Sequence, residues 1–219
     1  MIGAYGEVVL CDWGVAMRVN DANLAESALI GTPAYMAPEM LLGNRIDTRT
    51  DVYLLGATLH HVLTGQPRHI GSSMPQDLNS VATSAPFLYA ADVPAELAEL
   101  CNRAMALDPD VRPASAEAFR QDIAEHLRKR SASVLCQAAL ERLSALESML
   151  AATTSKEDQP KDWATMYRHA AEARFGYGYA LRIEPALEAA QRGFDRTLEA
   201  LFELELRQQH VESAAALVE

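Results

Sequence analysis

Apolar residues recur every three or four positions along most of this chain, which is the spacing of helices that bury one face. Within the first 130 residues, turn residues such as glycine and proline break this pattern into short segments. The pattern predicts helices over residues 51–64, from Pro94 to about Leu107, and from Ser115 to about Lys129. The basic run that ends at Arg130 suits the negative C-terminal end of the third helix.

Beyond residue 130 the apolar stripes become longer, and alanine, leucine and glutamate dominate. One stripe comprises Leu135, Ala139, Leu143, Leu146 and Leu150; the next comprises Trp163, Tyr167, Ala170 and Ala171; the third comprises Phe194, Leu198, Leu201 and either Leu204 or Glu205. A short last helix is predicted over residues 211–218. This tail resembles degenerate tetratricopeptide-type repeats and equally suits a plain helical bundle docked on the preceding lobe, with Phe175, Tyr177, Tyr179 and Trp163 in its core.

The N-terminus differs from the rest because residues 7–11 (EVVLC) form a short β-branched run after two glycines. This pattern predicts a β-hairpin turn that leads into a buried strand. The predicted fold class is therefore mainly α, with a short N-terminal β-hairpin and an antiparallel helical tail.

Composition narrows the classes of function. Of the 219 residues, 49% are hydrophobic, which is enough for a sizeable core. The net charge of −11 argues against a nucleic-acid partner, and no apolar run is long enough to predict a membrane span. The three separated cysteines at positions 11, 101 and 136 indicate thiols in a reducing compartment, so we expect a cytoplasmic protein.

Four motifs follow one another in a specific order: DWG at 12–14, GTPAYMAPE at 31–39, DVYLLG at 51–56 and LDPDVRP at 107–113. Together they closely resemble the C-terminal lobe of a bacterial-type serine/threonine protein kinase. The resemblance covers about residues 1–130. It implies a kinase-like large lobe without the small lobe, and phosphoryl transfer from ATP and Mg²⁺ to a protein substrate.

The resemblance assigns roles near the N-terminus. It makes Asp12 the carboxylate that holds Mg²⁺, while Gly14 allows the turn and Trp13 replaces the family's usual phenylalanine as an apolar anchor. Residues 15–36 correspond to the activation segment, and we assign to it Ser27, Thr32 and Tyr35 together with Gly14, which directly precedes it. A threonine at position 32 indicates a serine or threonine acceptor.

Four further residues are implied to be structural. Glu39 follows Pro38 and matches one half of the family's buried ion pair, whose other half is Arg112. Such a pair is predicted to be bidentate. Asp51 matches an aspartate that bonds the catalytic loop, although a carboxylate at a helix start is equally a simple cap.

Several parts of a kinase domain are not found in these 219 residues: the strand lysine, its helix glutamate, and the His-Arg-Asp loop with the following asparagine. The N-terminal glycines do not form the Gly-rich ATP loop, because only five residues separate Gly6 from Asp12. We therefore expect this chain alone to be inactive, with doubtful binding of ATP and Mg²⁺. We also expect an exposed apolar surface at Val8–Cys11 and Trp13.

Two interpretations follow. In the first, the chain is a fragment of a serine/threonine kinase. In the alternative, it is a stand-alone pseudokinase-like module whose tail binds a partner protein. The predicted domains are a partial kinase domain at 1–130, a connecting helix at 131–151, a linker at 152–162 and a helical tail at 163–219.

Overall fold

The chain forms two compact units, Met1–Ile123 and Ala124–Glu219. The computed structural model describes residues 3–11, 13–18, 32–44, 46–71, 73–152, 162–208 and 210. Among these residues the regular elements are α-helices and short 3₁₀ turns, so the mainly helical fold class is confirmed.

The first unit is built from short helices joined by turns. Its helices are α1 (Pro38–Leu42), α2 (Thr48–Thr64), α3 (Met74–Thr83) and α4 (Ala95–Ala104), together with the start of α5 (Ala116–Ala152). Two 3₁₀ turns, at Trp13–Val15 and Pro33–Tyr35, precede α1, and a third, at Pro109–Val111, lies between α4 and α5. Helix α2 packs on α4, and α1 packs on α3.

Helix α2 is central to this unit, and its ends are well defined. The Asp47 side chain accepts a hydrogen bond from the Arg49 backbone N–H at 2.7 Å, and Thr50 completes a capping box. Gly65 ends the helix with a φ of 74°, which few other residues adopt. Asp51 therefore does not cap the helix, because α2 begins before it at Thr48.

The predicted β-hairpin at the N-terminus is wrong for the described residues. Residues 3–11 contain turns and one isolated bridge at Val8, and they form no strand. A strand is stable only when a neighbouring segment pairs with its backbone, and the part of the chain that the structure describes supplies no such ladder. The side chains of Val8, Val9 and Leu10 remain exposed.

The second unit contains the rest of α5 with α6 (Trp163–Ile183) and α7 (Glu188–Arg207). Its core is formed by buried side chains of all three helices, most of them alanine or leucine: Ala139, Leu143, Leu146, Leu150, Met166, Ala170, Ala173, Tyr177, Ala180, Ala190, Ala200 and Leu204. The three predicted stripes thus contribute to one core.

Helix α5 is longer than the sequence analysis predicts. The predicted helix from Ser115 to about Lys129 and the predicted connecting helix at 131–151 are one continuous helix. Most of the predicted linker, residues 153–161, lies outside the described residues, and so does the predicted last helix at 211–218.

The aromatic residues of α6 separate into two groups. Tyr177 is buried in the core and Trp163 packs against it, as predicted. Phe175 and Tyr179 are 70% and 43% exposed, so their assignment to the core is wrong. They stack on one another at a centroid distance of 6.2 Å, on a face of α6 that the core does not use.

Candidate functional site

A buried ion pair joins the end of the 32–38 segment to the loop that precedes α5. Arg112 Nη1 donates to Glu39 Oε1 at 2.6 Å, and Nη2 donates to Oε2 at 2.8 Å. Both side chains are almost completely buried. The predicted bidentate pair between Glu39 and Arg112 is therefore present.

The remaining polar atoms of the pair also have partners. Arg112 Nε donates to the Ala106 carbonyl at 2.9 Å, and Nη1 donates to the Arg49 carbonyl at 3.1 Å. The Thr50 hydroxyl donates to Glu39 Oε1 at 2.8 Å. The guanidinium carbon lies 4.9 Å from the ring centroid of Tyr53. A buried ion pair stabilises a fold only when additional hydrogen bonds offset the lost hydration of its charges. Here both Glu39 and Arg112 have such bonds.

The pKa of Glu39 reflects the same balance. Burial alone raises the pKa of this carboxyl, but hydrogen bonds from Arg112 and Thr50 and the charge of Arg112 outweigh burial. The pKa of Glu39 therefore lies below its usual range, and the carboxylate stays ionised.

The ion pair anchors a segment whose first residue remains accessible. Thr32 is exposed and precedes the 3₁₀ turn Pro33–Tyr35, whereas Met36 to Glu39 are buried. The Tyr35 hydroxyl and His61 Nδ1 share a hydrogen bond of 2.6 Å, and the His69 N–H donates to the Ala34 carbonyl at 3.1 Å. The segment is thus held by α2 through Tyr35 and by the loop after α2 through Ala34.

A second buried polar network lies beneath this segment. The Tyr53 hydroxyl is 2.7 Å from His69 Nε2 and 2.7 Å from Ser84 Oγ. His69 Nδ1 is 2.9 Å from Ser80 Oγ, and Ser84 Oγ donates to the Met105 carbonyl at 2.7 Å. This network ties α2, α3 and α4 together.

The pKa of His69 makes this network sensitive to acid. Burial lowers the pKa of His69 to about 4, and the charges of Arg68 and His60 act in the same direction, against Asp77. Burial likewise lowers the pKa of His60 to about 4. These histidines are therefore neutral in the folded protein at neutral pH.

We predict that the first unit loses stability as the pH falls from about 6.5 to about 4. The folded pKa values lie below the unfolded value of 6.5, so in this range the unfolded chain binds protons that the folded chain does not. Urea unfolding at several pH values is expected to show a shallower pH slope for His69→Gln than for the unchanged chain. The exposed His210 gives a control, His210→Gln, and equal slopes for the two variants would contradict the prediction.

An open apolar groove of about 660 Å³ lies where the N-terminal segment meets α2. Leu10, Trp13 and Met17 line one side, and Leu54 and Leu55 of α2 line the other. Trp13 is 67% exposed, although its indole N–H donates to the Leu10 carbonyl at 3.2 Å. The expected apolar surface around Trp13 is therefore present.

The described residues near this groove do not test the predicted Mg²⁺ site. Asp51 lines the groove, and desolvation raises the pKa of its carboxyl. Gly14 is exposed within the 3₁₀ turn Trp13–Val15. Asp12 and Ser27 lie outside the described residues, so their predicted roles stay predictions. Within the described ranges, no three His, Cys, Asp or Glu side chains are grouped to hold a metal ion.

Sequence reasoning missed three residues that complete this site: Thr50, Tyr53 and His69. Each is buried and bonds a partner from another segment, so helical spacing carries no signal for it. Tyr53 stands within the DVYLLG motif, which is the one feature that marks it out.

Comparison with known proteins identifies the family to which this chain belongs. The protein kinase domain family matches residues 1–124, more than half of the chain. This chain therefore belongs to the protein kinase domain family, and the predicted resemblance to a bacterial-type serine/threonine kinase is confirmed.

Its relatives are bacterial serine/threonine kinases. "Probable serine/threonine-protein kinase PknB" of Bifidobacterium longum is 32% identical over 167 residues, which cover 73% of this chain and 24% of the relative. PknK of Mycobacterium bovis is 36% identical over 134 residues, covering 59% of this chain and 12% of the relative. PknD of Chlamydia muridarum is 29% identical over 157 residues, which cover 60% of this chain and 17% of the relative. The chain thus spans about a quarter or less of the length of these relatives.

None of the described helices has an apolar stretch suited to crossing a membrane.

Proposed function

We propose that this chain forms the substrate-side part of a serine/threonine protein kinase domain. In that domain ATP supplies a phosphoryl group to a hydroxyl of a protein substrate. The buried pair between Glu39 and Arg112 carries the proposal, because it anchors a segment that begins with the exposed Thr32. Phosphoryl transfer depends mainly on positioning and charge, so a rigid platform for the acceptor is a catalytic requirement.

Within this proposal, the exposed segment before Met36 presents the protein substrate. Thr32 lies next to the acceptor hydroxyl, and Tyr35 holds the turn through its bond to His61. Ser27 and Gly14 belong to the same activation segment. A protein is the partner that suits this surface, and the net charge of −11 disfavours a nucleic acid. We place the protein in the cytoplasm, where free thiols such as Cys11, Cys101 and Cys136 stay reduced.

The nucleotide site requires groups beyond the described residues. Asp12 is the residue that would hold Mg²⁺, and the ion would supply positive charge to stabilise the phosphoryl group during transfer. The described residues alone do not fit a complete ATP and Mg²⁺ site, since they supply no cluster of metal ligands. We therefore assign this chain the positioning of the substrate, and Asp12 acts at the nucleotide only when the rest of a kinase domain is present.

The apolar groove beside Trp13 is the surface on which the rest of a kinase domain would dock. Exposed side chains of Leu10, Trp13 and Leu55 favour an apolar contact there. Asp51 lies at the rim of the groove, where its carboxylate would accept hydrogen bonds from the backbone of a docked loop.

We also propose that α6 and α7 of the tail run antiparallel as a helical hairpin. Two close contacts between the helices support this arrangement: Tyr177 lies over Gly193, and Phe194 lies beside Gly178. A third is the interaction of Tyr167 with Glu205. Between the contact of Tyr177 with Gly193 and the contact of Tyr167 with Glu205, the position on α6 decreases while the position on α7 increases, which is the register of antiparallel helices.

The experiment compares this chain with a fusion that supplies the preceding part of a kinase domain from the Bifidobacterium longum relative. With radiolabelled ATP and a basic substrate protein, the chain alone is expected to incorporate no more phosphate than its Asp12→Ala variant. The fusion is expected to transfer phosphate, and Asp12→Ala in the fusion to lower the rate by at least about a hundredfold.

Two results would contradict the proposal. One is phosphate incorporation by the unfused chain well above that of its Asp12→Ala variant. The other is a fusion that folds, as judged by a cooperative melt, and yet transfers phosphate equally with and without Asp12.

A further inference from the structure

Exposed apolar side chains concentrate on one face of the second unit. The α5–α6 groove, as we name it, has a volume of about 650 Å³ and lies between two helices of this unit. Its lining comprises Leu127, Arg130, Ser131, Val134, Leu135, Tyr179 and Ile183. Phe175 extends the groove, because its ring stacks on Tyr179.

This face carries most of the exposed large hydrophobic side chains that are described in the second unit. Among the described residues of the second unit, six large hydrophobic side chains are exposed, and four of them belong to this face: Leu127, Val134, Phe175 and Tyr179. The other two, Leu140 and Leu206, lie elsewhere. Contiguous apolar surface of this kind marks an interaction site more often than single exposed residues do.

The charges around the groove are basic, although the chain as a whole is acidic. Arg130 lines the groove, and the Arg182 guanidinium lies 5.0 Å from the ring centroid of Tyr179. Among the residues that the structure describes, neither arginine has a carboxylate within ion-pair distance. The nearby carboxylates are already engaged, since Glu172 pairs with Arg142 at 3.0 Å and Glu184 pairs with Arg128 at 2.9 Å.

We propose that the α5–α6 groove binds an acidic amphipathic helix of a partner protein. Leu127 and Val134 are two helical turns apart on α5, while Phe175 and Tyr179 are one turn apart on α6. This spacing suits a third helix that places apolar residues at positions i, i+4 and i+7 between the two. Arg130 and Arg182 then pair with carboxylates that flank the apolar stripe of the partner.

The same charges disfavour two other occupants. A second copy docked through the same face would bring Arg130 and Arg182 against their own equivalents, in a protein of net charge −11. Single-stranded nucleic acid stacks on aromatic side chains, but it needs a continuous basic track, and two arginines in so acidic a chain do not supply one. The inference is independent of the kinase assignment, because the family match ends at residue 124.

The test uses fluorescence anisotropy with the full chain and two labelled peptides of about 16 residues, long enough for four helical turns. One peptide carries leucine at the i, i+4 and i+7 positions and glutamate beside them, and the other has lysine in place of each glutamate. The acidic peptide is expected to bind at least about tenfold more tightly than the basic peptide. Combining Arg130→Glu with Arg182→Glu is expected to reverse this preference.

An apolar variant and a matched control locate the contact. Phe175→Ala is expected to weaken binding of the acidic peptide about tenfold, as loss of an aromatic anchor does. Leu206→Ala removes another exposed apolar side chain of the same unit, outside the groove, and it is expected to leave binding unchanged. Both positions are exposed, so the circular dichroism spectrum should be unchanged in both variants.

Several results would overturn the proposal. They are equal binding of the two peptides, insensitivity to the paired arginine reversal, and equal effects of Phe175→Ala and Leu206→Ala. Tighter binding of a labelled single-stranded oligonucleotide than of the acidic peptide would identify a nucleic-acid surface instead. Dimerisation of the chain that Phe175→Ala abolishes would identify a second copy as the occupant.

Discussion

Replacing Arg112 with alanine is expected to lower the free energy of unfolding of the first unit by about 3–5 kcal/mol. The substitution leaves the Glu39 carboxylate buried without a counter-charge, and the carbonyl groups of Ala106 and Arg49 lose a donor as well. Urea unfolding followed by hydrogen exchange over residues 36–60 measures the first unit separately from the second.

An exposed ion pair on α5 provides the control. Arg120 pairs with Glu117, and both side chains are more than half exposed. Arg120→Ala is therefore expected to cost less than about 1 kcal/mol. Replacing Glu39 and Arg112 together with methionine should destabilise less than Arg112→Ala alone, because no unpaired charge remains. Equal losses in the free energy of unfolding for Arg112→Ala and Arg120→Ala would show that the buried pair stabilises the first unit no more than an exposed pair does.

Gly193→Ala is expected to destabilise the second unit by about 1–3 kcal/mol, although alanine ordinarily favours a helix over glycine. A methyl group at position 193 would lie only 2.2 Å from Cζ of the Tyr177 ring and 2.7 Å from its hydroxyl oxygen. Tyr177 is buried in the core and has little room to move, so α6 and α7 must separate. Thermal unfolding, with hydrogen exchange over residues 163–207, measures the loss.

The matched control is Gly178→Ala, in the C-terminal half of α6. The nearest atom to a methyl group there is in the Phe194 ring at 3.6 Å, an ordinary contact. This variant is expected to be neutral or to stabilise by up to about 1 kcal/mol, because helix propensity improves without a clash. A destabilisation by Gly178→Ala as large as that by Gly193→Ala would refute the steric explanation.

The ion pair could be predicted from the sequence because both of its residues stand in motifs of fixed spacing. Glu39 ends GTPAYMAPE and Arg112 stands in LDPDVRP, so the family resemblance identified the pair without any distance. The partners of Thr50 and His69 are not marked in this way. Their contacts depend on how α2 packs on α1 and α3, which periodicity does not specify.

The helix starts and ends were predicted less well where two weak signals compete. The capping box of α2 uses threonine at its third position in place of the usual glutamate or glutamine, so Asp47 did not stand out from Asp51. In α5 the basic run around Lys129 looks like a helix end, but charge near a helix end contributes only about 0.3–1 kcal/mol. Residues 116–152 contain no glycine or proline to stop the helix.

The N-terminal strand illustrates a different limit. A run such as EVVLC has the local preference for a strand, yet strand formation depends on a partner segment that no local pattern can supply. Phe175 and Tyr179 show the same dependence, since their spacing is helical and only the positions of the neighbouring helices decide which aromatic face is covered.

The separation of Glu39 and Arg112 along the chain also determines when the first unit can be completed during synthesis. The two residues are 73 positions apart, so Glu39 leaves the ribosome well before its partner. At elongation rates of about 5 to 20 residues per second this interval is roughly 4 to 15 s, which greatly exceeds the time in which helices such as α2 form. During that interval the Glu39 carboxylate has no counter-charge from Arg112, so closure of the lobe around this buried pair waits for the arrival of a single arginine.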